Sequence, residues 1–175
     1  LLRGQMYLKA GFGAEAEKEL TRAEKLGTGR DTVAPLLGEA WVLMGHYKRI
    51  LDESQPTDAM SPVSRSRIMA LRASALFKFG KFRDACNLFQ EARQVNADSL
   101  QAHWGLAQCA IAERKMAEAR TWLDNALKLN ERQAETWIFI GDFEQLNQNT
   151  PNALAAYQQA VKLEPSNIAA LQSLA

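Results

Sequence analysis

Three segments of the chain, ACNLFQEARQVNADS at 85–99, ARTWLDNALKLNERQ at 119–133 and ALAAYQQAVKLEPSN at 153–167, repeat one pattern at an offset of 34 positions. Each starts with alanine, places a large side chain four positions on (Phe89, Leu123, Tyr157) and a second alanine three beyond that (Ala92, Ala126, Ala160). Spacings of three and four mark one face of a helix; a strand would alternate at two. A unit of this size leaves an apolar face that only a neighbour can cover, so the period predicts stacked units whose stability is a sum of nearest-neighbour terms.

The residues between these segments supply a second helix per unit. The unit from Ala134 carries Trp137, Ile140, Gly141 and Glu144 ahead of Ala153, Tyr157, Ala160 and Pro165. The unit from Leu100 carries His103, Leu106, Ala107 and Ala110, and the unit from Ser66 carries Met69, Ala73 and Leu76 with Gly80 at the turn. This is similar to the tetratricopeptide repeat, W-x2-L-G-x2-Y…A-x3-F…P. Gly4, Tyr7, Gly11, Ala16, Leu20 and Ala23 fit the same template with its first positions missing, and Ile168, Leu171 and Leu174 open a further helix, so the array is expected to be cut at both ends. The resemblance implies an all-α fold, a right-handed superhelical solenoid of antiparallel helix hairpins. The expected units of this single array fragment, 1–175, are 1–30 (partial), 31–65 (irregular), 66–99, 100–133, 134–167 and 168–175 (partial).

Small residues at 4, 38, 73, 107 and 141 predict close approach between the two helices of each hairpin, with large residues filling the holes. Asn96, Asn130 and Asn167 fall near helix boundaries, where their side chains can bond free backbone groups. In the irregular unit, Pro56 and Pro62 predict a connection of about ten residues after a short second helix at 46–54, since proline lacks the amide hydrogen a helix interior requires.

Composition excludes several classes of function. Twenty-one basic and twenty acidic residues leave a net charge of +1, without the long-range field that draws a protein onto nucleic acid or anionic lipid. No apolar run approaches the roughly 18 residues of a membrane span. No converging set of catalytic groups is visible: His46 and His103 lie in different units, and His103 fills a slot where the repeat packs a large ring, so it reads as a core histidine. LGTGRD at 26–31 has no Walker lysine and reads as a helix stop. Cys86 and Cys109 lack paired metal-ligand spacing and read as buried structural thiols, with a disulfide as the alternative in an oxidising compartment. No catalytic, metal or cofactor site is assigned.

Function is expected on the first helices, which line the concave side of such a stack. The residues left free by the core pattern are Thr32, Glu39 and Val42 in the irregular unit, Arg67, Ala70, Ser74, Phe77 and Lys78 in the next, then Gln101, Trp104, Gln108 and Ile111, and last Glu135, Ile138, Asp142 and Gln145. Trp104, one position after His103, is expected to stand out of the core as an aromatic anchor for a peptide, a partner helix or a sugar ring. Arg65, Arg67, Arg72, Lys78, Lys81 and Arg83 crowd one segment and offer contacts to an acidic partner. Chaperone-tail receptors of this family hold a carboxylate with lysine and asparagine on successive first helices; Arg67, Ala70, Ser74, Gln101, Trp104 and Gln108 stand at those positions here, so that clamp is absent.

GRDTVAPLLGEAWVLMGHYKRILDE at 29–53, a proline-containing break, and ALRASALFKFGKFRDACNLFQEA at 70–92 are similar to a narrower group, the tetratricopeptide lipoproteins of the PEP-CTERM and exosortase system. That resemblance implies a scaffold for protein or peptide partners, linked to exopolysaccharide assembly or export in the bacterial periplasm or cell envelope, with its lipid anchor outside this chain. The alternatives are a recruiting arm of an enzyme whose catalytic domain lies elsewhere, a polysaccharide-binding groove, and a cytoplasmic location.

Overall fold

The three-and-four spacing becomes helix almost everywhere in the computed structural model, which describes residues 1–174. In chain order the helices are α1 (Leu2–Lys9), α2 (Gly13–Lys25), α3 (Arg30–Leu43), α4 (Tyr47–Glu53), α5 (Pro62–Lys78) and α6 (Phe82–Val95). They continue as α7 (Leu100–Ala112), α8 (Met116–Leu129), α9 (Ala134–Leu146), α10 (Thr150–Leu163) and α11 (Ile168–Leu174). Among the described residues there is no strand. The helices gather into two compact units, one of residues 1–105 and one from Leu106 onward.

In the first unit, α2 packs on both α1 and α3, and α5 on α3, α4 and α6. Leu20, Val33 and Ala40 are buried in one cluster; Trp41, Ile50, Leu71 and Ala75 form the next. Glycines permit the closest approaches. A Cβ on Gly4 would lie 2.7 Å from Leu20 Cγ, within the α1–α2 hairpin as expected. Gly38 differs: its Cβ would meet Leu71 of α5 at 2.7 Å, so its smallness serves the contact with the following hairpin more than with α4. Gly105, which the periodicity did not single out, backs onto the Phe89 ring, where a Cβ would come within 2.2 Å.

The irregular hairpin has a physical cause. Helix α4 runs for 7 residues where α6 runs for 14. Arg72 donates to the carbonyls of Leu51 and Ser54 at 2.7 and 2.9 Å, satisfying acceptors that a longer α4 would have bonded internally. Asp31 accepts from the Ser61 amide at 2.9 Å, Ser61 Oγ accepts from the Ser64 amide, and Met60 is buried beside Ala34 and Ile68. Pro62, expected inside the connection, instead occupies the first position of α5, where the missing N–H has no intrahelical partner to lose. The connection therefore ends at Ser61.

The second unit is built around Ala119, Leu123, Ile140 and Phe143, with a further cluster of Ala134, Ala160 and Ala170. A Cβ on Gly141 would lie 2.2 Å from the Tyr157 ring across the α9–α10 hairpin. The buried Glu144 carboxylate accepts from Arg120 Nη1 at 2.7 Å and from Asn149 Nδ2 at 2.9 Å, so its charge is compensated. Asn130 and Asn167 cap as expected, their Oδ1 atoms accepting from the Arg132 and Ala170 amides; Asn96 does the same for Asp98 in the first unit.

Candidate functional site

The first helices of the first unit meet along a cleft of about 380 Å³. Helix α1 supplies Leu2, Gln5, Met6 and Lys9, α3 supplies Leu36 and Glu39, and α5 supplies Arg67. Its floor is apolar: Leu36 is buried, while Met6 leaves 62% of its surface to solvent. Arg67 Nε donates to Glu39 Oε1 at 2.5 Å, tying α5 to α3 and setting a fixed polar edge. Exposed Lys9 adds a cation on the α1 wall. Such a surface offers an extended chain one apolar contact strip and charged groups of both signs to fix its register.

Of the expected groove, Glu39 and Arg67 line this cleft, whereas Ala70 is buried in α5. The α1 contribution was missed because that helix was read only for its template positions, Gly4 and Tyr7; Leu2 and Met6, four apart on another face, carried the signal. Elsewhere in the first unit, Ser74 is spent on its own helix, its hydroxyl donating to the Ala70 carbonyl at 3.0 Å. Phe77 stacks edge-to-face on Phe82, with ring centroids 4.9 Å apart. Lys78 is exposed and Gln101 half-buried.

Trp104 is a correction. It is only 9% exposed, not an anchor standing out of the core. Residues 102–107 are buried without interruption, more than a full turn of α7, so this stretch has no solvent face for Trp104 to occupy. His103 is a core histidine as expected, 4% exposed, with its Nδ1 2.8 Å from the Ser99 carbonyl oxygen.

In the second unit the expected residues divide. Ile111 and Ile138 are half-buried against the hydrophobic clusters, and Gln108 is half-buried too. Glu135 accepts from Gln133 Nε2. Asp142 and Gln145 are brought together around one hydroxyl: Tyr157 Oη donates toward Asp142 Oδ1 at 2.8 Å and Gln145 Oε1 at 3.0 Å. Burial first, and the hydrogen bond to Asp142 second, push the Tyr157 phenol well above the ordinary tyrosine value. Raised above its unfolded value, this group favours the fold below about pH 10 and withdraws that support as pH climbs further. In an absorbance titration at 295 nm, Tyr157→Phe should remove signal from the extreme alkaline end. Loss of signal near the ordinary tyrosine value instead would contradict the buried, Asp142-bonded phenol.

A second, more polar cleft of about 260 Å³ lies among α2, α3 and α4. Glu17 accepts there from Trp41 Nε1 at 3.1 Å and Arg49 Nη1 at 2.5 Å, and the Arg49 guanidinium sits 4.5 Å from the Trp41 ring centroid. Arg49 is held above its ordinary pKa, chiefly by its hydrogen bond to Glu53. These groups satisfy one another and brace the hairpins.

The cysteines also require correction. Cys86 and Cys109 are both disulfide-bonded, and no free thiol occurs among the described residues. Two thiols far apart in sequence carry no local signature of pairing, which is why spacing favoured the reduced form. No group of three histidine, cysteine or acidic residues among those described is arranged to hold a metal, and no described helix is long and apolar enough to cross a membrane.

An all-helical series of hairpins with glycine or alanine at each close approach is the tetratricopeptide-repeat fold, and residues 71–135 match the family model described as tetratricopeptide repeat. The structure is similar to that of TTC0263, a thermophilic TPR protein of Thermus thermophilus, with a TM-score of 0.77 at 17% identity, covering 98% of this chain and 95% of that one. It is also similar to the first TPR of Spaghetti (RPAP3) bound to an HSP90 peptide, with a TM-score of 0.55 at 20% identity, covering 64% of this chain and 89% of that one. In sequence the chain is 31% identical over 132 residues to BBSome complex member BBS4 of Bos taurus, an alignment covering 75% of this chain and 25% of that protein. The chain thus spans about a quarter of the length of these BBS4 relatives.

Proposed function

We propose that the chain is a non-enzymatic interaction scaffold that holds an extended peptide of a protein partner in the α1–α3–α5 cleft. The observation that carries this reading is the cleft itself: open apolar side chains at Leu2 and Met6, backed by buried Leu36, beside the fixed Glu39–Arg67 pair. The peptide-bound RPAP3 domain gives a precedent on the same fold. The finer reading places the parent protein in exopolysaccharide assembly or export at the bacterial envelope. What supports an envelope location is the disulfide-bonded state of Cys86 and Cys109, since disulfides persist in oxidising compartments.

The test is capture from envelope extract by the immobilised chain and by Met6→Glu, with a parallel titration of exopolysaccharide. Met6 is largely exposed, so the variant keeps its fold; a captured envelope protein should be lost from it, while the glycan shows no saturable binding. Capture unchanged by Met6→Glu would remove the cleft from the account, and saturable glycan binding abolished by the variant would replace the peptide with a sugar.

A further inference from the structure

The basic residues that crowd 65–83 separate into two sets. Arg65 pairs with Asp58, Arg67 with Glu39, and Arg72 with the carbonyls at the end of α4. Lys78, Lys81 and Arg83 make none of these bonds and stand at the α5–α6 turn, within the run FKFGKFR at 77–83. Phe79 and Phe82 each leave 51% of their surface to solvent at the same turn. Gly80, at φ +72°, makes the reversal tight and projects its neighbours outward.

Nothing in the repeat demands this chemistry. The turns at 112–116 and 146–150 in the second unit contain no aromatic residue, and an exposed Glu113–Lys115 ion pair occupies the first of them. In the first unit the feature extends along one edge. The α1–α2 turn lies against the α3–α4 turn, since a Cβ on Gly13 would touch Leu43 and Met44, and Met44 and Tyr47 pack in one cluster with Ala75 near the end of α5. Exposed Phe12 and Leu43 thus share the edge with Phe79 and Phe82. Lys9 and Lys48 add to its positive charge, against Glu15 and Asp84.

We propose that this edge is a membrane-contact surface that recognises anionic phospholipid headgroups. Lys78, Lys81 and Arg83 meet lipid phosphates, while the Phe79 and Phe82 rings enter the boundary between headgroups and acyl chains. Aromatic and basic side chains combine at such interfaces because the rings gain by leaving water while the cations remain beside negative charge. The whole-chain charge of +1 supplies no long-range pull, so attraction is confined to the Debye length and depends on salt. A single-stranded nucleic acid fits less well, because it needs a groove with open ring faces, whereas this is a protruding tip on which Phe82 already engages Phe77.

The experiment is sedimentation of the chain with vesicles of phosphatidylcholine alone and of phosphatidylcholine with an equal part of phosphatidylglycerol, at low and high salt. The wild type should sediment with the mixed vesicles only and be released by salt. A variant carrying Lys78→Glu, Lys81→Glu and Arg83→Glu should stay in solution, and Phe79→Ala should bind severalfold more weakly. None of these positions is buried, and circular dichroism should confirm an unchanged helical fold. No sedimentation, equal sedimentation with neutral vesicles, or binding untouched by charge reversal would overturn the proposal. So would tight binding of a single-stranded oligonucleotide that mixed vesicles fail to displace.

Discussion

Trp104→Ala is expected to lower the melting midpoint more than any other single change considered for this chain. Deleting a buried tryptophan side chain costs about 3–5 kcal/mol, because the lost transfer energy is joined by the cavity left behind. At roughly 2–4 °C per kcal/mol for a chain of this size, the midpoint should fall by about 6–20 °C. The cost is at the upper end where the surroundings cannot collapse, and the uninterrupted burial of 102–107 describes such a place. Trp104→Phe, which keeps most of the ring volume, should lose far less. Thermal unfolding followed at 222 nm reads both variants, and an unchanged midpoint for Trp104→Ala would show that the side chain is not part of the core.

Gly141→Leu should be the next most damaging change. The first atom of the new side chain would come within 2.2 Å of the Tyr157 ring, and that ring cannot swing aside without breaking its hydroxyl contacts to Asp142 and Gln145. Overpacking of this kind costs about 1–3 kcal/mol, occasionally more. The cause is separable from a general effect on helix α9: Tyr157→Ala in the same chain should recover part of the loss, because it removes the group being struck. Losses that simply add in the double variant would mean that the clash lies elsewhere.

Much of the fold was legible because each unit repeats the same contacts. Gly141 and Tyr157 form a close pair, and the buried core alanines of the three quoted segments all fall at the expected positions. Helix ends followed from local chemistry, as at Asn130, whose side chain turns back to a backbone amide. The pattern failed where one helix face was not the whole answer. A template that assigns one buried stripe per helix treats Trp104 as free once His103 fills the core slot, but α7 is covered over more than a full turn there. The site was less legible than the fold for a related reason. The cleft is assembled from three separate helices, and no single helix's pattern shows that Leu2 and Met6 of α1 lie beside Leu36 of α3 and Arg67 of α5. The commitment of Arg65, Arg67 and Arg72 to separate partners likewise depends on the irregular connection and on α3, which charge counting cannot reveal.

The central claim is that the α1–α3–α5 cleft binds a peptide, and selection from a displayed random-peptide library tests it most directly. Enriched peptides would be synthesised with a fluorophore and titrated with the wild type and with Met6→Glu. Saturable binding to the wild type is expected, with a loss of roughly tenfold or more in the variant, about the effect of removing one apolar anchor of 1.4 kcal/mol or greater. Failure to enrich any peptide, or equal affinity for both proteins, would contradict it.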